Sequence, residues 1–121
     1  MKTWLIVGAS LAGLAVLLGA FGAHGLKSKV SPEDLLIFET GVRYHIYHAL
    51  GLMIIGMIGF HISPDILQVP AYLFSAGILI FSGSLYMLVL TNTRWLGAIT
   101  PLGGLCFIAG WILLAFNIYK S

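Results

Sequence analysis

The chain has 121 residues, 60% of them hydrophobic and 8% charged, with a mean hydropathy of +1.03. A fold of this length leaves much of its surface facing solvent, so the composition excludes a soluble domain and makes lipid the solvent. Six Lys and Arg against four Asp and Glu leave a net charge of +2, too small and too scattered for a nucleic-acid footprint, and the single Cys106 excludes an internal disulfide framework.

The first apolar run, Trp4 to Ala23, is preceded by Lys2 and contains the small residues Ala20 and Gly22, and so imitates a secretory signal. Its length of about 20 residues exceeds the roughly 7 to 15 of a signal core and matches a bilayer crossing, which predicts a retained first span. Gly25 suits a C-terminal cap for it. In the segment Ser31 to Asp34 the N-cap, the first helical proline and an acidic third position form a capping box, so the second helix is expected from Pro32. That helix is expected to run to about Ile62, where the following Ser-Pro-Asp stops it, with Gly41 to Ile62 in hydrocarbon. A third span is expected from Pro70 to Leu90, closed by the segment Thr91 to Arg94. For the fourth, from about Pro101 to Tyr119, two starts fit: Thr100 as N-cap with Trp95 to Ile99 lying along the interface, or a start near Trp95 with a bend at Pro101.

The pattern therefore predicts an all-α, integral membrane four-helix bundle, one transmembrane domain over residues 1–121. Lys27, Lys29 and Arg94 in the loops against Lys2 and Lys120 at the termini favour cytoplasmic loops. Small residues spaced by four, Ala9 with Gly13 and Gly19 with Ala23, predict close helix contacts within the chain or between chains.

Candidate functional residues concentrate in the segment Phe38 to Leu52. On a helical wheel Glu39, Arg43 and Tyr47 form one stripe and Thr40, Tyr44 and His48 a second, with His45 pointing elsewhere. The first stripe fits an interfacial ion pair with Arg43 over Tyr47, or a site for a lipid headgroup, partner loop or charged solute. His48, at about 10 Å into the hydrocarbon, fits either a structural hydrogen bond or a proton or ligand site. Ser75, Ser82 and Tyr86 supply a matching face on the third span, with Ser82 or Tyr86 as the expected partner of His48. His24 sits at the end of the first helix, where a cation suits the dipole. The chain contains neither a CxxC pair nor an HExxH, P-loop or dinucleotide fingerprint, and His45 and His48 lack an acidic or thiol ligand at their depth. No catalytic residue, metal or cofactor is therefore expected.

At "GAFGAHGL" (Gly19 to Leu26), "ETGVRYHIYHALGL" (Glu39 to Leu52), "FSGSLYMLVLT" (Phe81 to Thr91) and "RWLGAITPLGG" (Arg94 to Gly104) the chain resembles the small bacterial membrane proteins grouped as the domain of unknown function 423 family. The resemblance implies a four-helix integral membrane protein of the bacterial plasma membrane with no assigned activity. The family's recurring positions map onto His24, Glu39, Arg43, Tyr44, His48, Ser82, Tyr86, Gly97, Thr100 and Pro101. The expected function is non-enzymatic: engagement of the lipid bilayer, a second copy or another membrane protein through the polar cluster, with no nucleic-acid partner. The alternative is a transporter or channel subunit with a polar site around His48.

Overall fold

The computed structural model describes residues 2–121, and among them every regular element is helical. Helix α1 spans Lys2–Phe21 and continues through a π-helical turn, Gly22–Leu26. Helix α2 spans Pro32–Ile58. A 3-10 turn, Pro64–Leu67, leads into α3, Gln68–Gly77, which passes through a second π-helical turn, Ile78–Ser82, into α4, Gly83–Thr91. A 3-10 turn, Arg94–Ala98, precedes α5, Thr100–Lys120. Four helical rods result, and three of them, Lys2–Leu26, Pro64–Thr91 and Arg94–Lys120, are long and apolar enough to cross a membrane. The fourth, α2, has the length but carries Glu33, Asp34, Glu39 and Arg43 in its first half and His45 and His48 about its middle.

The ends of the rods differ instructively from expectation. Ser31 Oγ does accept from the Asp34 N–H at 3.1 Å, with Pro32 as the first helical residue. The return bond of a capping box is absent, because the Asp34 carboxylate is taken by Arg94. Gly25 is not a left-handed cap: the helix widens into its π turn and ends at Lys27 in right-handed conformation, with the Phe21 ring lying over Gly25. α2 stops at Ile58, four residues short, where i→i+3 bonds to the Met57 and Ile58 carbonyls tighten the chain through His61. The third rod starts before Pro70, which sits in its first turn, where a missing N–H costs nothing. It ends on Asn92, whose φ of 53° makes a left-handed cap. Thr100 opens α5 with its hydroxyl bonded to Ser84 and to the Leu96 carbonyl, so it packs rather than caps.

Helix α1 lies along α2, α2 also packs on the third rod, and the third rod packs on α5. The buried stripe of α1 is Trp4, Gly8 and Ala15, continued by Gly22, rather than Ala9 with Gly13 or Gly19 with Ala23. Trp4 fixes this rotation: its ring belongs to the core and its N–H donates to Gln68 Oε1 at 3.2 Å. A Cβ on Gly8 would lie 2.7 Å from the Ala49 carbonyl oxygen, whereas one on Gly13 would meet nothing within 4 Å. Close approach recurs around α5, where a Cβ on Gly103 would lie 2.8 Å from Phe81 Cα and one on Gly110 would lie 2.7 Å from the Phe74 ring.

Two apolar clusters form the interior. One contains Trp4, Leu52, Ile55, Phe74 and Phe107, the other Leu26, Phe38, Leu88 and Val89. Along both α2 and the third rod the buried polar residues His45, His48, Ser82 and Ser84 fall between the two, forming a polar layer within an oily molecule.

Gly103→Ala is expected to destabilise the protein by about 1 to 3 kcal/mol, the cost of forcing atoms into a filled contact. Gly13→Ala is expected to change stability by no more than about 0.5 kcal/mol. Thermal unfolding of both variants in the same detergent checks the pair.

Candidate functional site

The polar layer begins where α2 meets the third rod. Gly41 lets them touch, since a Cβ there would lie 2.9 Å from the Tyr86 ring. Ser82 Oγ donates to the Gly41 carbonyl at 2.7 Å, and Tyr86 Oη lies 2.8 Å from His45 Nδ1. His45 therefore does not point away from the cluster: it is 2% exposed and anchors α2 to α4. Its other ring nitrogen, Nε2, is buried without a hydrogen-bond partner. Ser75 is not on this face and donates to its own Ala71 carbonyl. The cause is the π turn Ile78–Ser82, whose extra residue rotates everything beyond it by about 100° relative to α3.

His48 turns toward α5 instead. The Trp111 indole N–H donates to His48 Nε2 at 2.9 Å, and His48 Nδ1 lies 2.8 Å from the Tyr44 carbonyl oxygen. An indole can only donate, so Nε2 must be the acceptor and Nδ1 must carry the proton that it donates to Tyr44. The ring is thus a neutral imidazole with both nitrogens committed. Phe107 stacks on it with centroids 3.6 Å apart and planes 7° apart, and Phe74 meets it edge-on at 5.2 Å. Neither Ser82 nor Tyr86 is its partner, because both are already used, by Gly41 and His45. Trp111 was the missed residue, and a signal for it exists: an indole deep in an apolar run must find an acceptor.

This bridge spans an aromatic crevice between α2 and α5. Tyr44, Tyr47 and His48 form one wall, Phe107, Ile108 and Trp111 the other, and Phe81 the floor, enclosing about 510 Å³. Gly104 keeps it open, since its missing side chain leaves the Phe81 ring 3.8 Å from where a Cβ would stand. Tyr47 and Ile108 are each more than half exposed, so the crevice opens on the outer, apolar face of the molecule.

The remaining candidates lie outside it. Glu39 and Arg43 form no ion pair: Arg43 Nη2 donates to Thr40 Oγ1 at 3.1 Å, and Thr40 in turn donates to the Leu36 carbonyl. Nor does the Arg43 guanidinium lie over Tyr47; among the described residues Lys120 over Phe116 is the sole cation–π contact. The hydroxyl three residues back is simply within easier reach than a carboxylate a full turn away. Among the described residues the one ion pair is Arg94 with Asp34, bidentate at 2.8 and 2.6 Å, which ties the start of α2 to the turn before α5. The Arg94 hydrogen bonds, aided by its charge and opposed by partial desolvation, hold the Asp34 carboxyl below its ordinary value of 3.8. His24 is exposed in the π turn and makes no hydrogen bond among the described residues, so the cluster does not include it.

Removing the His48 bridge leaves the Trp111 indole N–H without a partner, which is expected to cost about 1 to 3 kcal/mol for His48→Ala. Arg43→Ala is expected to stay within about 0.5 kcal/mol. His48→Ala, Trp111→Phe and the double variant, melted in one detergent, should show a coupling of about 0.5 to 3 kcal/mol, as expected for side chains in direct contact.

The family profile described as "Protein of unknown function (DUF423)" matches residues 18–104. The chain is 50% identical over 121 residues to the UPF0382 membrane protein YwdK of Bacillus subtilis (strain 168), covering 99% of this chain and 98% of that protein. It is 48% identical over 120 residues to a UPF0382 membrane protein of Staphylococcus haemolyticus, with 99% and 98% covered, and 49% identical over 120 residues to one of Staphylococcus aureus (strain USA300), with the same shares covered. No solved structure matches the chain. With three apolar rods long enough to cross a bilayer and relatives named as membrane proteins along its whole length, the chain is a membrane protein that belongs to the DUF423 family, also named UPF0382, whose function is unknown.

Proposed function

We propose that the protein is a single-domain, multi-pass four-helix bundle of the bacterial cell membrane that does no chemistry and engages lipid through the α2–α5 crevice. The observation that carries this reading is the state of His48. Its two ring nitrogens are spent on Tyr44 and Trp111, which leaves the crevice lined by aromatic faces and tyrosine hydroxyls rather than by a free acid, base or nucleophile. A concave apolar surface on the outside of a membrane protein takes up acyl chain. The fourth crossing is α2: at 1.5 Å per residue its 27 residues reach about 40 Å, its polar side chains His45 and His48 are satisfied or sheltered within the bundle, and Arg43, in its first half, turns its guanidinium back toward Thr40 and the interface. Lys27, Lys29 and Arg94 favour the cytoplasmic leaflet for that end. Of the candidate residues, Tyr44 and His48 form the site, Ser82 and Tyr86 brace the helix that carries them, and Glu39 and Arg43 lie at its mouth.

A second reading, a transporter or channel subunit, is favoured by one observation: the buried His45 Nε2 has no hydrogen-bond partner, an imidazole nitrogen that the fold does not use. Both readings are decided in reconstituted vesicles. In phosphatidylcholine brominated at mid-chain, the emission assigned to Trp111 by difference from Trp111→Phe should be strongly quenched, and Gly104→Leu, which fills the crevice, should relieve that quenching. Proton leak should not exceed that of lipid alone. Unquenched Trp111 would contradict the lipid-facing crevice, and a leak abolished by His45→Phe would establish the second reading.

A further inference from the structure

We propose that the crevice selects an anionic phospholipid, with one acyl chain against Tyr44, Tyr47 and Trp111 and the phosphate on Arg43. This rests on the reading of the crevice as lipid-facing and adds the class of headgroup. Arg43 stands one helical turn before Tyr47 on the same face of α2, so its guanidinium lies at the mouth of the crevice, on the side toward the start of the helix. Thr40 fixes its direction. The Thr40 hydroxyl donates back to Leu36 and accepts from Arg43 Nη2 at 3.1 Å, which draws the guanidinium toward the headgroup layer rather than into the hydrocarbon.

The charge of Arg43 is not neutralised by the protein. Glu39, one turn earlier, makes no ion pair with it, and the other arginine at this end, Arg94, is held by both oxygens of Asp34. Thr40 occupies one of the five guanidinium N–H donors, and the rest remain free to make the forked contact that phosphate oxygens favour. A cation at the rim and an aromatic trough below it match the two halves of a phospholipid. The match favours a net negative headgroup, because a zwitterionic one carries its own cation to compete with Arg43. Arg43 is exposed and its one hydrogen bond is to Thr40, so its substitution is expected to leave the fold intact and makes the proposal testable.

The experiment compares quenching of Trp111 by mid-chain-brominated phosphatidylglycerol and by brominated phosphatidylcholine, each diluted to the same fraction in unbrominated phosphatidylcholine vesicles at low salt. The anionic lipid is expected to associate about fivefold more strongly, the effect of one arginine beside an anionic headgroup. The preference should shrink as salt is raised. Arg43→Gln should bring the ratio close to one, and Arg43→Lys should keep most of the preference. Equal quenching by the two lipids in the wild type, or a preference that survives Arg43→Gln, would overturn the anionic assignment while leaving the lipid-facing crevice intact. Absence of quenching by both would remove that crevice as well.

Discussion

The bridge from Tyr44 through His48 to Trp111 is the interaction on which the shape of the molecule depends. It joins two rods, α2 and α5, whose backbones are held apart by aromatic rings. Lipid supplies no hydrophobic incentive for helices to associate, so packing and hydrogen bonds must do it. An indole donor and an imidazole acceptor satisfy each other where water cannot, and the stacked Phe107 and edge-on Phe74 hold the ring in the plane that both bonds need. The same geometry leaves a trough beside the ring. A shorter link would have closed it.

Everything around the bridge uses the opposite device. Gly8, Gly41, Gly103 and Gly110 occupy points where a neighbouring backbone or ring would collide with a Cβ, so the other contacts between the rods are tight. Tight packing on three sides and an aromatic spacer on the fourth put the α2–α5 crevice in a definite place. The π turn at Ile78–Ser82 belongs to the same arrangement: it directs Ser82 and Tyr86 at α2, where they hold Gly41 and His45, and so sets the angle from which His48 reaches α5. Asp34 and Arg94 tie the start of α2 to the turn before α5.

Much of this was legible in the sequence. The four rods follow from apolar length and from caps such as Ser31 with Pro32, and Tyr44, His48, Ser82 and Tyr86 stand out because polar side chains in an oily run need a reason to be there. Who pairs with whom was not legible. A helical wheel assumes a constant 3.6-residue period, and the π turn breaks that assumption between Ser75 and Ser82, which is why the expected serine–tyrosine face dissolved and His45 found Tyr86. Glu39 and Arg43 had the spacing of an ion pair, but a nearer hydroxyl captured the guanidinium. Trp111 and Phe107 lay hidden among similar apolar residues of α5, where only the unmet need of an indole N–H marks one position from its neighbours.

The link between α2 and α5 turns on the protonation pattern of one ring. Nitrogen-15 NMR of the protein in bilayers at neutral pH, with His48 assigned by comparison with His48→Gln, reads it directly. The expected result is a neutral imidazole with the proton on Nδ1, and a through-bond coupling from the Trp111 indole N–H to an unprotonated Nε2. A proton found on Nε2, or a doubly protonated ring, would mean that Trp111 cannot be its donor and that the bridge between α2 and α5 does not exist as described.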